Sequence, residues 1–264
     1  MKSLIIIILI TIFHDVKATN FPKIYGCFCE GGIITGKISE NSTLRIDDQK
    51  VLTYNNRFIF AFGRKFKENI KIEVDNISKE FNVKNKEYKI ENIRGLPQNK
   101  VEPSKKELDK IISDQQKIKE AKNVGIRKKL FNQRFILPSK GRLSGVYGSQ
   151  RILNSKPRRP HAGIDIAAKE GTNVIAPSSG VIKLVQRDMF FTGNTIIIDH
   201  GLGLISIFAH LKDIWVNERD EVFQGKSIGS IGMTGRATGP HLHWGVYLNK
   251  TSVDPMTLIN FELN

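Results

Sequence analysis

The chain has 264 residues, 40% of them hydrophobic, 25% charged and 8% aromatic, which supplies enough apolar material for a core and excludes wholesale disorder. Lys and Arg number 41 against 26 Asp and Glu, a formal charge of +15, which alone points to a polyanion: nucleic acid, an anionic lipid surface or an acidic wall polymer. Two cysteines exclude both a disulfide framework and a four-cysteine zinc site. At the N-terminus, Lys2, the apolar run from Leu4 to Phe13 and Val16-Lys17-Ala18 have the form of a cleavable export signal, residues 1–18. The run is shorter than the ~20 residues that span a bilayer.

Residues 19–100 alternate short apolar-patterned runs with turn residues such as Asp47-Asp48, Asn55-Asn56 and Asp75-Asn76. Several short strands at this spacing predict a small β-sandwich-like accessory domain. Phe58, Phe60 and Phe62 share one face at period two. Cys27 and Cys29 flank Phe28. Bridging i to i+2 strains disulfide geometry, so the pair reads as small apolar residues or a minor redox feature, with its oxidation state open.

Residues 101–134 form a basic helical linker. Ser104 and Glu107 make a capping box, and Leu108, Ile111, Ile112, Gln115 and Ile118 follow at helical spacing, with lysines between them. The lysine-rich stretch reads as a solvated helix face, ending or interrupted at Gly125. From residue 135 to 264 the pattern turns Gly-rich and β-like again, and an antiparallel β-sheet catalytic domain is expected. The whole chain is therefore mainly β.

Five of the six histidines, at 161, 200, 210, 241 and 243, lie in this last tract. In His241-Leu242-His243 the two imidazoles share a strand face, and Leu242, Trp244 and Val246 anchor the other. Paired histidines at i and i+2 suit a zinc-type site. In His161-Ala162-Gly163-Ile164-Asp165, Ile164 and Ile166 point one way and Asp165 the other. A fully extended four-residue step of roughly 13 Å is too long for both side chains to hold one ion, so the chain must bend, which Gly163 permits. One carboxylate among neutral imidazoles leaves zinc enough charge to acidify a bound water. His210 ends the run LISIFAH, where Leu204, Ser206, Phe208 and His210 share a face by alternation. His200, in the turn Asp199-His200-Gly201, reads as structural, with a fallback role as ligand. The chain has no HExxH helix, nucleophile elbow or phosphate-binding loop.

The motifs PHAGID, FAHL and MTGRATGPHLHWGVY, in that order over roughly residues 136–258, closely resemble the lysostaphin/LytM-type zinc endopeptidases, metallopeptidase family twenty-three. The resemblance implies His161, Asp165 and His243 as ligands of one zinc ion per chain, with His241 and His210 as catalytic histidines flanking the metal. Many members have Tyr where this chain has Phe208, which removes a hydroxyl and no ligand. The implied reaction is hydrolysis of an amide in the peptide stems or cross-links of bacterial peptidoglycan, by an exported protein of the cell envelope, most simply the periplasm. Arg151, Arg158 and Arg159 lie near the first motif and either bind substrate carboxylates or solubilise the surface.

The alternative is a catalytically silent wall-binding regulator of another hydrolase, which needs broken motifs, whereas all five positions are intact. A nucleic-acid partner is not expected, for the chain carries no nucleic-acid motif. By segment, residues 101–142 hold 12 basic and 5 acidic residues, and residues 143–264 hold 12 and 10. The basic excess thus lies outside the catalytic tract. At most it suggests peripheral association with wall or membrane through the helix.

Overall fold

The computed structural model describes residues 21–51, 53–123, 125, 129–131 and 134–260. The expected export signal lies outside the described residues, and among them no helix is long and apolar enough to cross a membrane.

Two antiparallel sheets form the N-terminal part. One orders strands Ile24–Gly26, Ile33–Lys37 and Arg57–Ala61, and the other Gln49–Lys50, Leu44–Ile46, Asn69–Val74 and Ile77–Asn82. Strict alternation drives their apolar faces together: Ile70, Ile72 and Val74 are buried while Asn69 and Lys71 are exposed and Glu73 half-exposed. Residues from both sheets, among them Ile34, Leu44, Phe58 and Ile72, share one core. The turns at Asp47-Asp48 and Asn55-Asn56 carry left-handed backbone at both residues, which tight hairpins require and which Asn and Asp tolerate.

Cys27 and Cys29 are joined in a disulfide, which corrects their reading as small apolar residues. Their Cα atoms are 5.3 Å apart, against roughly 6.6 Å for two residues of extended strand. The backbone is pinched at Phe28, whose ring stacks on Phe81 at 4.7 Å and tilts against Phe62 at 5.8 Å. The pinch brings the two sulfurs within bonding reach.

The helix Lys105–Asn123 opens on the expected cap, with the Glu107 carboxylate accepting from both Ser104 N and Ser104 Oγ at 2.8 Å. It ends ahead of Gly125. Lys105, Lys106, Lys110, Lys117 and Lys119 form the expected solvated face, and the opposite stripe is docked. Ile111, Asp114 and Ala121 are buried, and Ala121 and Ile118 pack on Leu184, Met189 and Ile197 of the large sheet. The Asp114 carboxylate accepts from Phe190 N at 2.7 Å. Leu108 and Ile112 of the same apolar series stay exposed, at 45% and 64%, because the docked stripe runs 111, 114, 118, 121.

A ten-stranded sheet dominates the C-terminal half. Its main path runs Glu221–Val222, Gly180–Met189, Gly193–Asp199, Leu204–Ile214, His241–Leu248, Gly163–Ala167, Arg142–Gly145, and the pairings along it are antiparallel. One face carries the main core, where Trp244, Phe208, Leu242, Ile164 and Ile166 are at most 1% exposed. Each such side chain contributes about 1.5–3 kcal/mol of burial, so the middle strands are fixed in register. The strand Ile90–Ile93 leaves the N-terminal sheets and pairs in parallel with Gln150–Leu153, with Glu91 opposite Arg151.

Candidate metal centre

The three central strands set the site. In the ladder between Gly163–Ala167 and His241–Leu248, Asp165 lies directly opposite His243 and Ala167 opposite His241. Opposed residues in an antiparallel pair project to the same face, so the core residues Ile164, Ile166, Leu242 and Trp244 leave Asp165, His241 and His243 on the other. Gly163 serves close approach rather than a left-handed bend: a Cβ there would meet the Trp244 carbonyl oxygen at 2.3 Å. The bend falls before the strand, where His161 is pinned by its own N–H to Ser149 O at 2.9 Å and its carbonyl to Gly148 N at 2.8 Å.

His161 Nδ1 donates to Val146 O at 3.0 Å, since a carbonyl can only accept, and Nε2 is left as the lone-pair nitrogen. That atom lies 3.0 Å from Asp165 Oδ1 and 2.9 Å from His243 Nδ1, and the latter is 2.9 Å from Asp165 Oδ1. Three potential donor atoms thus converge from residues of which two are buried and one half-buried, forming a possible metal site. The chemistry of the donor set fits a cation: two imidazoles and one carboxylate in a site largely closed to solvent. The second carboxylate oxygen, Oδ2, accepts from Arg151 Nη2, and Arg151 Nε lies 3.3 Å from Glu91 Oε2. A ligand carboxylate braced in this way is oriented before any ion arrives. Burial acts to raise the Asp165 pKa, but the adjoining His161 and His243 side chains outweigh it and hold the carboxyl well below the usual range. Burial pushes His243 down to about 4.

His210 reaches the same face by an irregularity that alternation cannot show. Phe208 pairs with Ile196 and Leu211 with Asn194, so Ala209 and His210 together oppose Thr195. This is a β-bulge, and His210 carries a left-handed φ of 64°. Without it His210 would follow Leu204 and Phe208 into the core, as the expectation of a shared face implied. The extra residue instead re-aims the ring, whose centroid lies 4.7 Å from that of His241 and 6.3 Å from that of His243. Phe208 stays fully buried on the opposite side, so the missing Tyr hydroxyl does not touch the site. His210 Nδ1 donates to Thr234 O and His241 Nδ1 to Gly239 O, both at 2.8 Å, and each keeps Nε2 as an acceptor. Burial, followed by the nearby His241 and His243, pushes His210 down to about 3.

The remaining sequence candidates fall elsewhere. His200 is fully buried with Nδ1 on Ser179 O and Nε2 on Ser206 Oγ, and its ring meets Phe135 edge-on. Both nitrogens are committed, which matches its structural reading. Arg158 bonds the carbonyls of Pro157 and Val101, and Arg159 is exposed. Two cleft residues, Glu91 and Arg236, went unread. His210, His241 and Asp165 line a cleft of about 430 Å³ together with Glu91, Arg151 and Arg236. Arg236 stands five residues before His241 within the third motif, where its place could have been noticed. Glu91 comes from a distant strand and gives no local signal.

Residues 159–255 match the model of peptidase family M23. The chain is 35% identical over 125 residues to the peptidoglycan DD-endopeptidase ShyA of Vibrio cholerae, covering 47% of this chain and 29% of that protein. It is 40% identical over 117 residues to the DD-carboxypeptidase/endopeptidase Mpg of Neisseria meningitidis, covering 44% and 27%. The chain thus spans less than a third of the length of these relatives. A solved structure assigned to peptidase M23 from Pseudomonas aeruginosa is similar over 88% of this chain and 94% of its own, with 29% identity and a TM-score of 0.66. Residues 159–255, which hold His161, Asp165, His210, His241 and His243, thus carry a peptidase family M23 domain.

Proposed function

We propose that this chain is a zinc metalloendopeptidase that hydrolyses amide bonds in the peptide stems or cross-links of peptidoglycan, acting in the cell envelope after export. The observation that carries the reading is the convergence of His161 Nε2, Asp165 Oδ1 and His243 Nδ1 within 3.0 Å of one another, with two further histidines presenting free Nε2 atoms beside them. The three residues would hold zinc, with an open position for water, as a catalytic rather than a structural site requires. When bound, zinc supplies Lewis acidity, lowering the pKa of water and polarising a carbonyl.

The chain's own residues do the rest. His241 accepts the proton of the attacking water at Nε2, its tautomer fixed by Gly239 O. His210 is fixed in the same tautomer by Thr234 O, so it begins as an acceptor too. A proton for the departing amine is then the one taken from water, and only an imidazole that has gained it at Nε2 can donate to the leaving nitrogen or the developing oxyanion. Arg151 and Glu91 keep Asp165 from rotating away. In the same reading residues 1–18 are the export signal, 19–100 the accessory domain, 101–134 the helical linker and 135–264 the peptidase domain. The periplasm is the expected compartment.

The test is digestion of purified peptidoglycan with mass spectrometry of the released peptides. Cleavage that stops on chelation and returns with zinc is the expected result. Intact peptidoglycan with zinc-loaded protein would sink the reading.

A further inference from the structure

Arg151 and Arg236 line the same cleft but differ in how their charge is met. Arg151 has two acids, Asp165 and Glu91. Among the described residues Arg236 has no carboxylate within salt-bridge distance. Its guanidinium stacks over the Phe191 ring at 4.3 Å and makes one side-chain hydrogen bond, a long one of 3.4 Å to Lys100 O, while its backbone N–H donates to Phe191 O at 2.8 Å. The group is therefore held in a fixed plane with most of its five donors unspent. The nearest charges make this costlier. Burial first, then the positive charges of Arg151 and Arg158, push Arg236 down to about 10, and among the described residues the Arg158 guanidinium donates to two backbone carbonyls. A part-buried guanidinium without a counter-charge, set beside others of its sign, is stabilised by an incoming anion.

The loop between Ile231 and His241 ties this cation to the reaction centre. Thr234 O orients His210, Gly239 O orients His241, and Arg236 stands between them in the chain. A rigid fork over an aromatic ring suits the flat, two-oxygen face of a carboxylate.

We propose that Arg236 is a carboxylate-binding subsite of the cleft, selecting peptides that carry a free carboxylate beside the amide to be cut over those in which that group is a carboxamide. This rests on the endopeptidase reading and narrows its substrate class.

The experiment compares steady-state hydrolysis of two peptidoglycan stem peptides, identical except that one bears free carboxylates and the other carboxamides. The zinc-loaded wild-type chain is measured beside Arg236→Gln and Arg236→Lys. Wild type should favour the carboxylate peptide by about tenfold or more in kcat/KM. Arg236→Gln should lose that preference, its KM rising more for the carboxylate peptide than for the carboxamide one, with its zinc content retained. Arg236→Lys should restore part of it. Equal cleavage of both peptides by wild type, or an equal loss on both in Arg236→Gln, overturns the subsite and leaves the endopeptidase standing. If wild type cleaves neither these peptides nor whole peptidoglycan, the endopeptidase reading fails and takes the subsite with it. The wild-type comparison needs no variant to fold.

Discussion

His241 and His243 stand two residues apart on one face of one strand, yet they present opposite nitrogens. His243 turns Nδ1 toward Asp165, whereas His241 spends Nδ1 on Gly239 O and keeps Nε2. Removing them should therefore have separable effects. His243→Ala is expected to lose stoichiometric zinc and all activity. His241→Ala should keep its zinc, as measured by metal analysis, while kcat falls by about 10²–10⁴, the range for a lost general base. A fully active His241→Ala would mean that the base is elsewhere. The pair was readable in the sequence because alternation alone sends both rings to one side of a strand whose other face is Leu242, Trp244 and Val246. The choice of nitrogen was not, since it depends on carbonyls supplied by a loop.

Among elements, the bulged strand Leu204–Ile214 best separates what pattern reveals from what it hides. Its apolar residues announced a buried strand, and the core contains them. Hydrophobic alternation carries no mark of the extra residue at 209–210, so it puts His210 on the core face, whereas the bulge sets its ring beside that of His241. The helix Lys105–Asn123 shows the same limit: its cap was legible in Ser104 and Glu107, but which stripe docks depends on the sheet beneath. The bulge also depends on a neighbour. Gly193 has a φ of 62°, and a Cβ there would meet Thr234 Oγ1 at 2.2 Å. Gly193→Ala should push Thr234 away and release His210. Activity is expected to drop by ten- to a hundredfold at unchanged zinc content, with a stability cost of about 1–3 kcal/mol. Unaltered kcat would show that Thr234 does not set His210.

At the scale of the whole molecule, stability should depend on pH through His200, which ties two strand ends together beneath the sheet. Burial holds its pKa at about 4, against 6.5 for a free imidazole. Between these values the unfolded chain binds a proton that the folded chain refuses, so stability falls as pH drops from 6.5 toward 4 and is flat above. The full loss for this residue is roughly 3 kcal/mol. Urea titrations at pH 7.5 and 4.5 should show the decline in wild type, and a shallower one in His200→Gln. Equal slopes would discount His200. Composition pointed to none of this. The basic excess lies largely outside the C-terminal tract, and the site rests on a handful of residues gathered from far apart.

The parallel pairing of Ile90–Ile93 with Gln150–Leu153 couples two parts of the chain that the sequence keeps separate. Glu91 reaches Arg151, and Arg151 reaches the carboxylate of Asp165. The cleft therefore borrows one wall, and one tether of its metal-facing carboxylate, from a strand that enters from the N-terminal sheets. Loosening those sheets, even at Phe58 or Ile72 in their distant core, would be felt as a less firmly aimed oxygen at the centre. Mechanical integrity on one side of the protein becomes reactivity on the other.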